Sequence, residues 1–354
     1  MINAQIVGAT GYGGLGMTEL LLRHPNIRIQ SLLATNDVGK PISEFFPHLR
    51  GFCDMVVCDV KDAEIGKDVD IVISATPDRV GMSIAPAALA AGARVIDYSG
   101  DFRFASVDHY TRYAAFTPSV GGKAHINPEL LTQAVYGIPE LYRDDIRTAR
   151  IVGNPGCFAV SMILGLAPAA KEGIIEPRSI VVDGKTGISG AGKKLNAGFH
   201  FPAANENVVP YRMGNHQHVV EARMTLERIG GTPYGITFVP HTVPITRGII
   251  CSCYATLRQD ISLERIHDLY SAFYANEPFV RVLPLGSPLP GVKAVVGSNL
   301  CDIALAHDVA NQRLIIASSI DNLLKGQAGI ALQNINVMFG FPETMGLERI
   351  PMYP

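Results

Sequence analysis

The sequence predicts an α/β protein of two domains: a doubly wound parallel sheet, then an α+β domain with a mixed sheet. Three observations predict it. Strand-like and helix-like stretches alternate at βαβ spacing through the first 100 residues, and a glycine-rich turn joins the first strand to the first helix. After about residue 150 the strands alternate in the half-buried manner and are separated by longer loops. With 354 residues, 47% of them hydrophobic and 18% charged, the chain is long enough to fill two cores.

In chain order, Ile2 to Val7 reads as a strand, Gly13 to Arg23 as a helix with Leu20 inside, and Ile27 to Ala34 as the next strand. Val69 to Ala75 is a continuous apolar run suited to a strand covered on both faces. A helix over Arg79 to Ala91 and a strand over Arg94 to Tyr98 follow. The dinucleotide-type sheet is expected to occupy residues 1–150 and to be completed by a C-terminal helix within about 318–354. Residues 151–317 are expected to form the catalytic and oligomerisation domain, with strands over Ile180 to Asp183, Tyr234 to Pro240 and Gly248 to Leu257 and a helix over Leu263 to Ala275. The last strong helical pattern runs from Asn322 to Phe339.

A formal net charge of -2 provides no basic field for nucleic acid or an anionic membrane, so neither is expected as a partner. The opening MINAQIVGATGYGG lacks the basic and long apolar regions of a signal peptide. The longest apolar stretch, Phe158 to Ala170, has 13 residues, too few to span a bilayer as a helix. The six cysteines have no paired CxxC spacing, which fits reduced thiols in a cytoplasmic protein.

Gly8, Ala9, Thr10, Gly11, Tyr12, Gly13 and Gly14 lie between the first strand and the first helix. A pyrophosphate requires a tight turn, close backbone approach and a helix N-terminus with unused N–H groups, and this stretch supplies all three. A Rossmann-type dinucleotide site follows from that context; a glycine turn without it would be no more than a turn. Thr35, Asn36 and Asp37 follow the second strand. An acidic residue there favours the ribose hydroxyl of NAD, while nearby Lys40 favours a 2′-phosphate, so both nucleotides stay open.

Asn154-Pro155-Gly156 delivers Cys157 to the first turn of the helical stretch ending at Ala170. Most cysteines that form no disulfide simply fill a core. At a helix N-terminus, however, the dipole favours a thiolate and backbone N–H groups can hold an oxyanion. His216, His218 and Glu221 offer a base and a carboxylate for such a nucleophile. His-x-His also suits zinc, but no further ligand stands at the right spacing, and no metal is expected. Arg103, Arg212 and Arg247 are candidates for anionic substrate groups, and the loop Gly187 to Gly192, with Ser189 and Gly190, offers backbone donors for a phosphate or a flat ring. A nicotinamide beside a cysteine nucleophile defines thioester formation followed by hydride transfer at the same carbon.

Taken in order, the glycine turn, Phe46-Pro47-His48-Leu49-Arg50-Gly51, Asp101-Phe102-Arg103, Gly153 to Cys157, Ser189 to Gly192, Asn215 to His218 and Pro240 to Gly248 closely resemble the N-acetyl-γ-glutamyl-phosphate reductase family. Asp321 to Gly326 is similar to the segment that the wider group, including aspartate-semialdehyde and glyceraldehyde-3-phosphate dehydrogenases, places near the nicotinamide, which adds Asn322 to the cofactor residues. The resemblance implies reduction of an acyl phosphate with NADP in arginine biosynthesis, Cys157 as nucleophile, His216 ahead of His218 as acid/base and Glu221 as orienting residue. Arg103, Asn154, Arg212 and Arg247 would bind substrate, and the protein would be a homodimer or homotetramer. Competing readings are a related acyl-phosphate reductase, acting on carrier-bound aminoadipyl phosphate or on aspartyl phosphate, a cysteine hydrolase and a nucleotide-binding sensor without catalysis.

Overall fold

The computed structural model describes residues 1–353, which fall into two compact units. The first comprises Met1–Pro155 with Gln327–Glu348; the second comprises Gly156–Gly326 with the C-terminal residues from Arg349.

The first unit is built on seven parallel strands: β1 (Ile2–Val7), β2 (Ile27–Ala34), β3 (Val57–Asp59), β4 (Ile71–Ser74), β5 (Arg94–Asp97), β6 (Ala134–Tyr136) and β7 (Ile151–Gly153). Their order is β3-β2-β1-β4-β5-β7-β6, so the winding reverses between β1 and β4. All four residues of β4 are buried, as expected of a strand covered on both faces. The crossovers carry α1 (Tyr12–Leu21), the one-turn α2 (Ile42–Phe45), α3 (Gly81–Ala90), α4 (Val107–Phe116) and α5 (Pro139–Thr148). The helix read from Arg79 begins at Gly81, because Arg79 sits at φ +75 in the left-handed region with its N–H donated to Asp101 at 2.8 Å. The sheet also continues past residue 150, where β7 pairs with β5 and β6.

The last helical pattern is not one helix. A π-turn over Leu324–Ala328 precedes an α-helix over Gly329–Phe339. Asp321, just before the π-turn, accepts from the Leu323 and Leu324 N–H groups at 2.8 and 3.2 Å, in the manner of an N-terminal cap. The returning helix carries Gln333, Asn334 and Asn336 fully buried, each hydrogen-bonded through its amide N–H groups within the first unit. Gln333 donates to Glu140 at 3.0 Å, Asn334 to the Gly137 carbonyl at 2.9 Å, and Asn336 to the Met345 carbonyl at 2.9 Å.

The second unit holds a mixed seven-stranded sheet in the order β12-β13-β14-β11-β8-β10-β9. Its strands are β8 (Ile180–Thr186), β9 (Val209–Pro210), β10 (Ile236–Thr242), β11 (Ile249–Thr256), β12 (Val280–Val282), β13 (Cys301–Asp308) and β14 (Arg313–Ile320). β11 alternates as its sequence suggests: Ile249, Cys251, Cys253 and Ala255 are buried, and Ile250, Ser252, Tyr254 and Thr256 are half-exposed on the other face. Helix α6 (Cys157–Lys171) covers the buried face, followed in sequence by the one-turn α7 (Phe201–Ala204), α8 (His218–Gly230), which packs on α6, and α9 (Leu263–Phe273). Every residue of α6 from Phe158 to Ala170 is buried, which leaves Cys157 as its one half-exposed residue before Lys171. No helix among the described residues is long and apolar enough to cross a membrane.

Candidate active site

In the first unit, the glycine turn stands at the carboxyl ends of β1 and β4. Gly8 has φ +86, and a Cβ there would come within 2.3 Å of the Ala75 carbonyl oxygen. A Cβ on Gly14 would lie 2.3 Å from the Gly8 carbonyl oxygen and 2.7 Å from the Ala9 Cα, so strand and helix approach as closely as backbone allows. Gly11 is the N-cap of α1 and has no side-chain cap, which leaves the first N–H groups of α1 for a ligand. Thr10 ties this turn to the loop after β2 by donating to the Asn36 carbonyl at 3.3 Å; Asn36 in turn donates to Thr35 at 3.3 Å, and Tyr12 is exposed. The cradle fits a dinucleotide.

Asn154 and Arg103 also belong to this unit, and both are buried. The Arg103 guanidinium donates to the carbonyls of Asn154 at 2.7 Å and Tyr98 at 2.6 Å. The Asn154 amide donates to the Gln327 carbonyl at 3.0 Å. The bonds of both residues therefore brace the turn after β7, a use that the sequence did not suggest for either.

Cys157, His216, His218 and Glu221 come together in the second unit. Gly156 is the N-cap of α6 and Cys157 its first residue. Two residues of the first turn of α8 reach this cap. Glu221, fully buried, accepts from the Gly156 N–H at 2.9 Å. The His218 ring lies against Gly156 so closely that a Cβ there would be 2.3 Å from Nε2. His218 and Glu221 are three residues apart on a helix and share a face, which explains why one element delivers both.

His216 occupies a different environment. It is buried among the rings of Phe158, Tyr211, His218 and Phe238, with centroids 4.6 to 5.8 Å away, and its Nδ1 accepts from the His218 N–H at 3.2 Å. Burial, and then the charge of Arg212, lowers its pKa to about 3. Its imidazole is neutral throughout the physiological range.

Two further residues at this site escaped the sequence reading. Burial, and then the charge Cys157 carries when ionised, pushes the Tyr211 phenol up, so it remains an O–H donor. Gly326 packs on Cys157, and a Cβ there would sit 2.8 Å from the Cys157 Cβ. The glycine of Lys325-Gly326 was the only signal for it, and sequence spacing cannot reveal that contact. By contrast, burial raises the Cys251 thiol to about 12, the inert state of a core cysteine.

Arg247 pairs with fully buried Asp321, at 3.0 Å from Nη2, and keeps about a third of its side chain exposed. Exposed Arg212 donates to Gln217 at 2.7 Å. Asn322 links two loops: it accepts from the Gly248 N–H at 2.7 Å and donates to the Ser189 hydroxyl at 3.0 Å, and a Cβ on Gly190 would stand 3.9 Å from the Asn322 amide nitrogen. Among the described residues no cluster of His, Cys, Asp and Glu stands ready to hold a metal ion.

Two family models match the chain: the semialdehyde dehydrogenase NAD binding domain over residues 3–149 and the semialdehyde dehydrogenase dimerisation domain over residues 157–322. N-acetyl-gamma-glutamyl-phosphate reductase of Geobacter sp. (strain M21) is 42% identical, covering 100% of both chains. The chain belongs to the N-acetyl-γ-glutamyl-phosphate reductase family. Another member, from Symbiobacterium thermophilum, is 43% identical and covers 100% of this chain and 99% of its own. The fold is also that of aspartate semialdehyde dehydrogenase II of Vibrio cholerae, solved in complex with ASA, with a TM-score of 0.72 at 19% identity, covering 96% of this chain and 98% of that one. Aspartate semialdehyde dehydrogenase of Candida albicans, solved with NADP, has a TM-score of 0.64 at 17% identity, covering 96% of this chain and 98% of that one.

Proposed function

We propose that this chain reduces N-acetyl-L-glutamyl 5-phosphate to N-acetyl-L-glutamate 5-semialdehyde and phosphate through a cysteine thioester, in cytoplasmic arginine biosynthesis. The observation that carries this reading is the joint hold of His218 and Glu221 on Gly156, which presents Cys157 at the mouth of a buried helix. Membership of a reductase family named for this substrate supports it.

In the reaction, His218 takes the thiol proton and the Cys157 sulfur attacks the acyl carbon. A C–S bond forms and the carbon–oxygen bond to phosphate breaks. Backbone N–H groups at the start of α6, whose N-cap Gly156 offers no capping side chain, stabilise the oxyanion that develops on the carbonyl oxygen. A reduced nicotinamide, when bound, supplies a hydride to the thioester carbon. The thiohemiacetal formed on Cys157 then collapses, the C–S bond breaks, and the aldehyde leaves as the thiol recovers its proton from His218. His218 takes this role ahead of His216 because a base with a pKa near 3 carries almost no proton to donate at neutral pH. Arg212 and Arg247 bind the phosphate and carboxylate of the substrate, and Arg103 with Asn154 shapes the turn before the nucleophile.

Gly8, Thr10, Gly11, Tyr12, Gly13 and Gly14, with Thr35 and Asn36, hold the dinucleotide, and Ser189, Gly190 and Asn322 serve its nicotinamide half. NADP is the form that the family resemblance implies, and Asp37 favours NAD. The sheet face carrying exposed Val181 and half-exposed Ile250 and Tyr254 is the contact between copies in a homodimer or homotetramer.

The test is phosphate-dependent reduction of NADP and NAD in the reverse direction, with N-acetyl-glutamate semialdehyde. Turnover that requires phosphate and vanishes in Cys157→Ser supports the reading; turnover without phosphate, or a fully active variant, overturns it.

A further inference from the structure

We infer that the cofactor site is set for an unphosphorylated ribose, so that NAD is the preferred nucleotide and Asp37 the selecting residue. This rests on the dinucleotide reading proposed above and goes beyond it by choosing between its two forms. In a doubly wound sheet, the adenosine ribose meets the carboxyl end of the second strand, where a carboxylate accepts from the 2′-hydroxyl and an arginine accommodates a 2′-phosphate.

Here β2 ends at Ala34, and Asp37 follows at φ +57, a conformation that Asp adopts more readily than most residues. The bond from Thr10 to the Asn36 carbonyl joins this loop to the glycine turn. Tertiary structure adds a second carboxylate to the same end of the sheet, because β3 runs parallel to β2 with Asp59 in register with Ala34. A cavity of about 780 Å³ borders the loop at Val38 and Gly39, and its wall carries Asp59, Asp62, Glu64 and Asp68 against Lys67 as its one basic residue.

Two of the lysines nearby are paired at the surface. Lys67 pairs with Glu64, and Lys40 pairs with Glu44 at 3.5 Å. No arginine lies between Thr35 and Leu49. A 2′-phosphate brought to this end of the sheet meets the carboxylates of Asp37 and Asp59 and finds no arginine in the loop after β2, whereas a ribose diol meets an acceptor.

The experiment is a fluorescence titration of the full chain with NADH and with NADPH, which is clean because the chain has no tryptophan. NADH is expected to bind about ten-fold more tightly or better, and Asp37→Asn, which tolerates the same backbone, to reduce that preference by about ten-fold. NADPH binding as tightly as NADH in the wild type, or an unchanged preference in Asp37→Asn, overturns the inference while leaving the reductase reading intact. Binding of neither nucleotide overturns both.

Discussion

Glu221 on α8 accepts from the backbone N–H of Gly156 at 2.9 Å, so a carboxylate 65 residues downstream holds the residue immediately before Cys157. Truncating it strands a buried N–H at the cap of α6. Glu221→Ala is expected to cost about 1–3 kcal/mol of stability in chemical denaturation. Glu221→Gln, whose amide oxygen still accepts, should recover most of that. An alanine variant as stable as the wild type would remove the bond from the account of this site.

The two histidines should separate kinetically. His218→Ala is expected to lower kcat by roughly 10²- to 10⁴-fold, the usual contribution of a positioned acid/base. The pH profile of kcat/KM should keep its shape in His216→Gln, because His216 is already neutral above about pH 3. Loss of a profile limb in His216→Gln, with none lost in His218→Ala, would return the acid/base role to His216.

Gly326 gives Cys157 its room. A methyl group there would stand 2.8 Å from the Cys157 Cβ and force that side chain aside. Gly326→Ala should lower kcat on the order of 10²-fold, the effect of misplacing a reacting group by about 1 Å, and should slow alkylation of Cys157 by iodoacetamide. Exposed Cys58 also reacts with that reagent, so Cys157→Ser supplies the baseline. Unchanged alkylation and turnover would show that the π-turn yields freely.

Stability should respond to pH in opposite directions in the two units. His216 falls from 6.5 to about 3 on folding, so across that window the unfolded chain binds more protons; the stability that His216 confers is complete above pH 6.5 and is lost as pH falls toward 3. Asp97 rises from 3.8 to about 8 through burial and then the charge of Asp101, so the folded state binds more protons there and stability declines as pH climbs from about 4 to 8. Each slope is at most about 1.4 kcal/mol per pH unit. Urea denaturation between pH 4 and 8 should show a shallower acid-side loss in His216→Gln and a shallower alkaline-side loss in Asp97→Asn. Variant curves parallel to the wild type would refute both assignments.

The sequence by itself determined the elements whose burial follows a simple period. β1 and β2 lie where alternation and apolar runs put them, Ile2–Val7 and Ile27–Ala34, and α6 begins at Cys157 because Gly156 ends the turn before a long apolar stretch. The glycines at 8 and 14 were legible for the same reason: close backbone approach leaves one residue type possible. Strands β6 and β7, of three residues each, and the π-turn over Leu324–Ala328 were not, since three residues hold no period and one wider turn leaves the apolar pattern nearly unchanged. Only the tertiary structure decided the site. It packed α8 on α6, which set His218 and Glu221 against Gly156, buried His216 among aromatic rings, laid Gly326 on Cys157 and brought Asp59 level with Ala34. Local periodicity specifies which face of an element is buried. Which titratable group meets which backbone atom depends on how distant elements pack, and with it the proton, the charge and the nucleophile's freedom.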